Sequence, residues 1–252
     1  MSTVPTLLRQ ALAANSLDRM IVVDVETTGL SEHCRVLEIG ACFLEVPYTA
    51  THKGDRYRAR PGRVIPLGAW RPWIAPDRYA TLPWEPEALE LARASGLLAD
   101  LEADQGLEVD EFDGPDVVEI LGCSLRIPDP ELLEKAGNTW ATWSGFDHLA
   151  ILRSAGSSAI ASGLFNGAGM YARPPLDLRG LARMARPTLP RDTGLSGAVD
   201  ALGLGLELER VATTWRVRCE GLEPSRRGRW VPHRALYDAT AAALVVLEVL
   251  RG

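Results

Sequence analysis

Four carboxylates and one histidine stand out by type and position. Asp24 and Glu26 lie in Asp24-Val25-Glu26-Thr27-Thr28-Gly29, Asp147 follows Phe146, and Asp238 comes five positions after His233. Met20 to Val25 is a short β-branched apolar run that predicts a buried strand. Residues two apart on a strand share a face, so Asp24 and Glu26 present two carboxylates side by side. Adjacent anions repel unless a cation holds them together, and hard oxygen donors select magnesium or manganese over zinc. Taken singly, each residue also has an ordinary structural use. Asp24 and Glu26 suit a solvated strand end, Asp147 suits a helix N-terminus, Asp238 an exposed helix position and His233 a helix start.

The elements that must position these groups follow from pattern and punctuation. Leu7 to Ala14 has helical spacing. Val36 to Val46 alternates as a second strand, and Arg56 to Val64 is expected as a third, completing an antiparallel meander. Residues 47–136 read as an insertion, broken by Pro61, Pro66, Pro72, Pro76, Pro83 and Pro86 and carrying Trp70, Trp73 and Trp84. Within it Pro86 to Leu101 has helical periodicity, Val117 to Leu121 begins a helix or strand, and Glu102 to Asp116 is a solvated acidic run. Asn138 to Trp143 predicts a strand and Phe146 to Ala155 a helix. Pro175 to Leu178 predicts a short strand entering a helix over Arg179 to Ala185, and Leu195 to Leu202 a helix closed by Gly203. Residues 210–230 read as basic and irregular, and His233 to Leu250 as an alanine-rich apolar helix. Strands first, then strands alternating with helices, give a mixed α/β sheet in a single domain spanning 1–252.

Asp24-x-Glu26, then Phe146-Asp147, then His233-x₄-Asp238, resembles the signature of the DEDDh 3′→5′ exonucleases, the superfamily of proofreading exonuclease subunits, ribonuclease T and oligoribonuclease. Asp24 to Leu30 followed by Val36 to Ala41 is similar to the family's first strand pair. Leu176-Asp177-Leu178 and Gly194 to Gly203 resemble its intermediate segments, and His233 to Ala239 its last motif. These segments cover roughly half of the chain. Trp143-Ser144-Gly145 stands where family members often carry His-Asn.

The resemblance implies an RNase H-like mixed five-stranded sheet flanked by helices, with the long insertion placed between the meander and the second motif. It implies two divalent cations, Mg²⁺ or Mn²⁺, about 4 Å apart. Asp24 is expected to bridge both, Glu26 and Asp238 to complete the site on the water side, and Asp147 to hold the ion on the leaving-group side. His233 is expected as the general base, titrating near the ordinary ~6.5 of an imidazole. Thr27, Thr28 and Leu30 are expected to meet the terminal nucleotide, and Phe146 to stack on a base or join the core. The expected reaction is removal of nucleoside monophosphates from the 3′ end of single-stranded DNA or RNA. A catalytically silent nucleic-acid-binding or adaptor module and an RNase H-like endonuclease are the competing readings.

Composition permits this reading without announcing it. Net charge is −6 with 24% charged and 46% hydrophobic residues, so a nucleic-acid partner would have to be met by local basic groups. Arg226, Arg227 and Arg229 beside Trp230 form one such group, while Lys53, Arg56, Arg58, Arg60 and Arg63 read as a solvated strand and turn. Trp140 and Trp143 read as core anchors. Cys34, Cys42, Cys123 and Cys219 are widely spaced, against a structural zinc site or a disulfide framework. No secretory leader pattern or spanning apolar run is visible, so a soluble cytoplasmic protein with no membrane partner is expected. The insertion is expected to offer a substrate-selecting or homodimer-forming surface.

Overall fold

The apolar run at residues 20–25 becomes β1 (Arg19–Thr27), and the next alternating segment becomes β2 (Val36–Glu45). They pair antiparallel, with Asp24 opposite Gly40 and Glu26 opposite Glu38. On the other side of β1, β4 (Trp140–Thr142) and then β5 (Leu176–Asp177) add in parallel, while β3 (Arg63–Trp70) joins β2 antiparallel, giving the order β3-β2-β1-β4-β5. The architecture is α/β, a mixed five-stranded sheet flanked by helices. The computed structural model describes residues 3–47, 61–71, 81–103, 139–151, 153, 175–190, 194–221 and 229–252.

The third strand lies further along the chain than the sequence pattern suggests. Its start at Arg63 leaves only the last residues of the expected Arg56 to Val64 inside it, and 56–60 fall outside the described residues. Pro66, read as a breaker, sits within it. The strand is at the sheet edge, and the register with β2 shifts between Ala41 and Cys42, where Pro66 pairs. Edges and bulges are where a strand tolerates a residue without an N–H.

The helices largely occupy their expected places: α1 (Val4–Ala14), α4 from residue 145, α5 (Leu178–Ala185), α6 (Leu195–Leu202) and α8 (Ala235–Arg251). Two expectations are corrected. The single helical pattern of Pro86 to Leu101 is two helices, α2 (Pro86–Ala94) and α3 (Leu97–Ala103), parted where Gly96 takes φ +73°. A Cβ there would also strike the Arg229 guanidinium. The stretch read as irregular contains α7 (Gly205–Arg218), followed by a 3₁₀ turn at Cys219–Gly221. Its buried positions, Leu208, Ala212 and Trp215, are too few among β-branched and charged neighbours to give a strong periodic signal. Val117 to Leu121 and most of the acidic run lie outside the described residues.

α8 is the central support. Every position of β2 is buried, so both faces of the sheet are covered. Met20, Val22, Cys42 and Leu44 form one core with Ala239, Ala242, Ala243 and Val246 of α8 and with α5 and α6. Alanines bring the helix axis close to the sheet, and the Cys42 thiol donates to the Ala239 carbonyl at 3.2 Å. Trp140 is fully buried edge-on against His148, and Trp143 packs beside the main core. Leu37 anchors a second cluster with Ala92, Leu97 and Leu101. Among the described residues, no helix is long and apolar enough to cross a membrane.

Candidate metal centre

Asp24 and Glu26 leave the face of β1 that α8 covers, at the point where the apolar lining of that face ends. α8 begins directly above them because β2 offers Gly40 opposite Asp24. A Cβ at Gly40 would lie 2.1 Å from the backbone of Ala235 and Leu236. This close approach brings Asp238, in the first turn of α8, down onto β1. Oxygens of Asp24, Glu26 and Asp238 all lie within 4.8 Å of one another, from half-buried side chains.

Asp147 arrives from the next strand. The parallel ladder between β1 and β4 ends at Val23 and Thr142. The next N–H of β1, that of Val25, donates to the Asp147 carboxylate. Ser144 donates to the same carboxylate through its backbone N–H (3.4 Å) and its hydroxyl (3.3 Å). At the start of α4, Ser144 thus donates twice to the Asp147 carboxylate three residues on. Ser144 stands where the resembled family often places His-Asn, and it supplies the polar support for Asp147.

The electrostatics show the cost of this convergence. Removal from water and the charges of Asp147, Asp238 and Glu26 push Asp24 well above the carboxylate range. Burial, with Asp238 and Glu38 close by, moves Glu26 up to about 8. Burial takes Asp238 to about 7 even though the N–H of His233 donates to it, and takes Asp147 to about 6 against its hydrogen bonds from Ser144. Among the described residues no Lys or Arg pairs with any of the four. The Arg234 charge offsets only part of the rise at Glu26, so hard, mutually repelling oxygen donors that form no ion pair among the described residues fit divalent cations.

A different carboxylate, which sequence reasoning passed over, fixes the head of α8. Glu38 is fully buried beside Glu26 in register. It accepts from Arg234 Nε (3.0 Å) and Nη2 (2.6 Å) and from the Ala235 N–H (3.1 Å). Arg234 is also fully buried and reaches Asp100 at 2.8 Å, and Arg71 approaches both acids at 3.5 and 3.6 Å. Burial alone would raise Asp100, yet hydrogen bonds from Arg229 and Arg234 hold it below the usual range. Arg229 is therefore committed to Asp100 and is not a free phosphate grip, while Arg226 and Arg227 lie outside the described residues. The signal available in the sequence was a lone acid in the apolar run Val-Leu-Glu-Ile-Gly-Ala.

The remaining expected residues divide by exposure. His233 is exposed, one residue outside the helix cap, in the left-handed region at φ +59°. It is not part of the three-carboxylate group. Leu30 is 71% exposed, and Thr27 and Phe146 are half-buried. Thr28 is fully buried, its hydroxyl accepting from the Arg35 N–H, so its side chain braces the turn rather than facing a ligand. That turn is held from the far side by Glu85, whose carboxylate accepts from the N–H groups of Leu30 (3.0 Å) and Ser31 (2.8 Å). No family model matches the chain, and no curated protein matches it.

Proposed function

We propose that this protein is a metal-dependent 3′→5′ exonuclease of the DEDDh type on an RNase H-like fold, acting on single-stranded nucleic acid in the cytoplasm and releasing nucleoside monophosphates. The observation that carries the reading is the meeting of Asp24, Glu26 and Asp238, from two distant segments, within 4.8 Å. Two divalent cations, when bound, neutralise phosphodiester charge and acidify a water that would otherwise be a poor nucleophile at neutral pH.

The chain's own residues divide the remaining work. Asp24, Glu26, Asp238 and Asp147 would hold these ions through their carboxylates, Asp24 being the one that feels the charge of all the others. The Val25 N–H and Ser144 keep the Asp147 carboxylate aimed. His233 takes the proton of the attacking water from its exposed place beside Asp238. Leu30, on the turn braced by Thr28 and Glu85, abuts the terminal nucleotide with Thr27. Phe146 lies next to Asp147, where a base can stack.

A 5′-end-labelled single-stranded oligonucleotide and a covalently closed circle of the same sequence, each with Mg²⁺ or Mn²⁺, test the reading. A ladder of shortened products from the linear strand with the circle intact is the expected result. Cleavage of the circle would make the protein an endonuclease. Binding without degradation of either would make it an adaptor.

A further inference from the structure

A second concave site lies at the far end of α8. From Asp238 to Arg251 the helix runs about 20 Å, at roughly 1.5 Å per residue. There, α7, the start of β3 and the last turns of α8 enclose a cavity of about 310 Å³. Its lining is divided by chemistry. Val211, Leu244, Leu247 and the buried ring of Trp215 supply apolar surface. Four arginines, Arg63, Arg210, Arg218 and Arg251, line it, with Glu207 as the sole acid among the described residues. A local excess of positive charge in a chain of net charge −6 runs against the composition.

These arginines are available to a ligand. Among the described residues exposed Arg210 is paired only with half-buried Glu207 one turn away, and Arg251 with Glu248 at 3.6 Å, pairs at the surface of small worth. Arg218 has no partner among the described residues. Arg63 is the exception, its guanidinium committed to Glu45, 3.0 Å away on β2, and lying over the Phe43 ring. Guanidinium forks match phosphate oxygens bidentately, and the apolar surface suits a flat or aliphatic body. The volume is at the small end of sites for organic molecules. We propose that this cavity is a metal-independent binding site for a small organic phosphate of mononucleotide size. The acidic cleft repels such a ligand unless cations are present, so the two sites are separable.

The test is calorimetric titration of the full chain with adenosine 5′-monophosphate in the presence of a chelator. One saturable site is expected, weakened at least about tenfold by Arg218→Ala or Arg210→Ala and unchanged by Asp24→Asn. Both arginines are exposed, and thermal melts of the variants establish that they fold. Absence of saturable binding, or binding indifferent to both arginine substitutions, would overturn the proposal. So would inorganic phosphate binding as tightly as the nucleotide, since the apolar surface would then contribute nothing. Binding of a long oligonucleotide but not the monophosphate would make the surface a nucleic-acid track instead.

Discussion

Glu38 and Asp100 lie against the head of α8 in the grip of Arg234, Arg229 and Arg71, whereas Asp24, Glu26, Asp147 and Asp238, on the neighbouring elements, form no ion pair among the described residues and feel Arg234 only at Glu26, where burial and the other acids outweigh it. Both groups take charge out of water. In the first, buried charge is matched by buried charge, and the pair ties β2 to the α2–α3 turn and to the first N–H of α8. In the second the repulsion is left standing. On the proposed reading, the remaining repulsion among these four acids is what a cation from outside would relieve. The paired group is the frame, and the bare group is the chemistry that the frame holds in place.

The comparison breaks most visibly at Asp24. Asp24→Asn is expected to abolish oligonucleotide degradation with the circular dichroism spectrum unchanged, because on the proposed reading the residue would hold both ions. Near-normal activity with Mg²⁺ present would remove it from the mechanism. His233→Ala is expected to lower turnover by roughly 10²–10⁴-fold while calorimetry still finds metal binding. Lost metal affinity would instead make His233 a ligand or a structural residue. In the paired group the effect falls on stability. Arg234→Ala should destabilise by about 3–5 kcal/mol in denaturant melts, because it strands Glu38 in the core.

pH sharpens the contrast. In the metal-free protein Glu26, Asp238 and Asp147 titrate at about 8, 7 and 6, above their ordinary values near ~4 in an unfolded chain. Folding therefore takes up protons between about pH 4 and 8, and stability falls as pH rises through that window. Asp100 acts in the opposite sense. Its contribution is present at neutral pH and is lost as pH falls through its lowered folded value. Thermal melts without divalent ions should therefore show a lower Tm at pH 8 than at pH 5.5, with Mn²⁺ reversing the loss at pH 8. A flat profile across that range would mean that the four acids do not interact as the geometry requires. The smallest effect is expected at Ser144. Ser144→Ala removes one of the hydrogen bonds to Asp147 and should weaken metal affinity by about 10-fold, with Tm nearly unchanged.

The sequence made the bare group legible and left the paired one hidden, for a physical reason. Acids two apart at the end of a β-branched run, and an acid in the first turns of an apolar helix, are local patterns. Their convergence depends on Gly40, whose meaning appears only when α8 lies across it. Glu38 and Arg234 are 196 positions apart, and no periodicity links them. Ser144, three residues before Asp147, carries no sign in the sequence that both of its donors go to that carboxylate. Pro66 within β3 and the weakly periodic α7 were misread because edge position and tertiary burial, not local propensity, decide those elements.

The most direct test of the account is titration of the protein with Mn²⁺ by calorimetry, wild type beside Asp24→Asn, at pH 7.5 and without nucleic acid. The wild type is expected to bind saturably, with release of protons from the raised carboxyl groups, and Asp24→Asn to lose most of that binding. Equal binding by both proteins, or none by either, would contradict it.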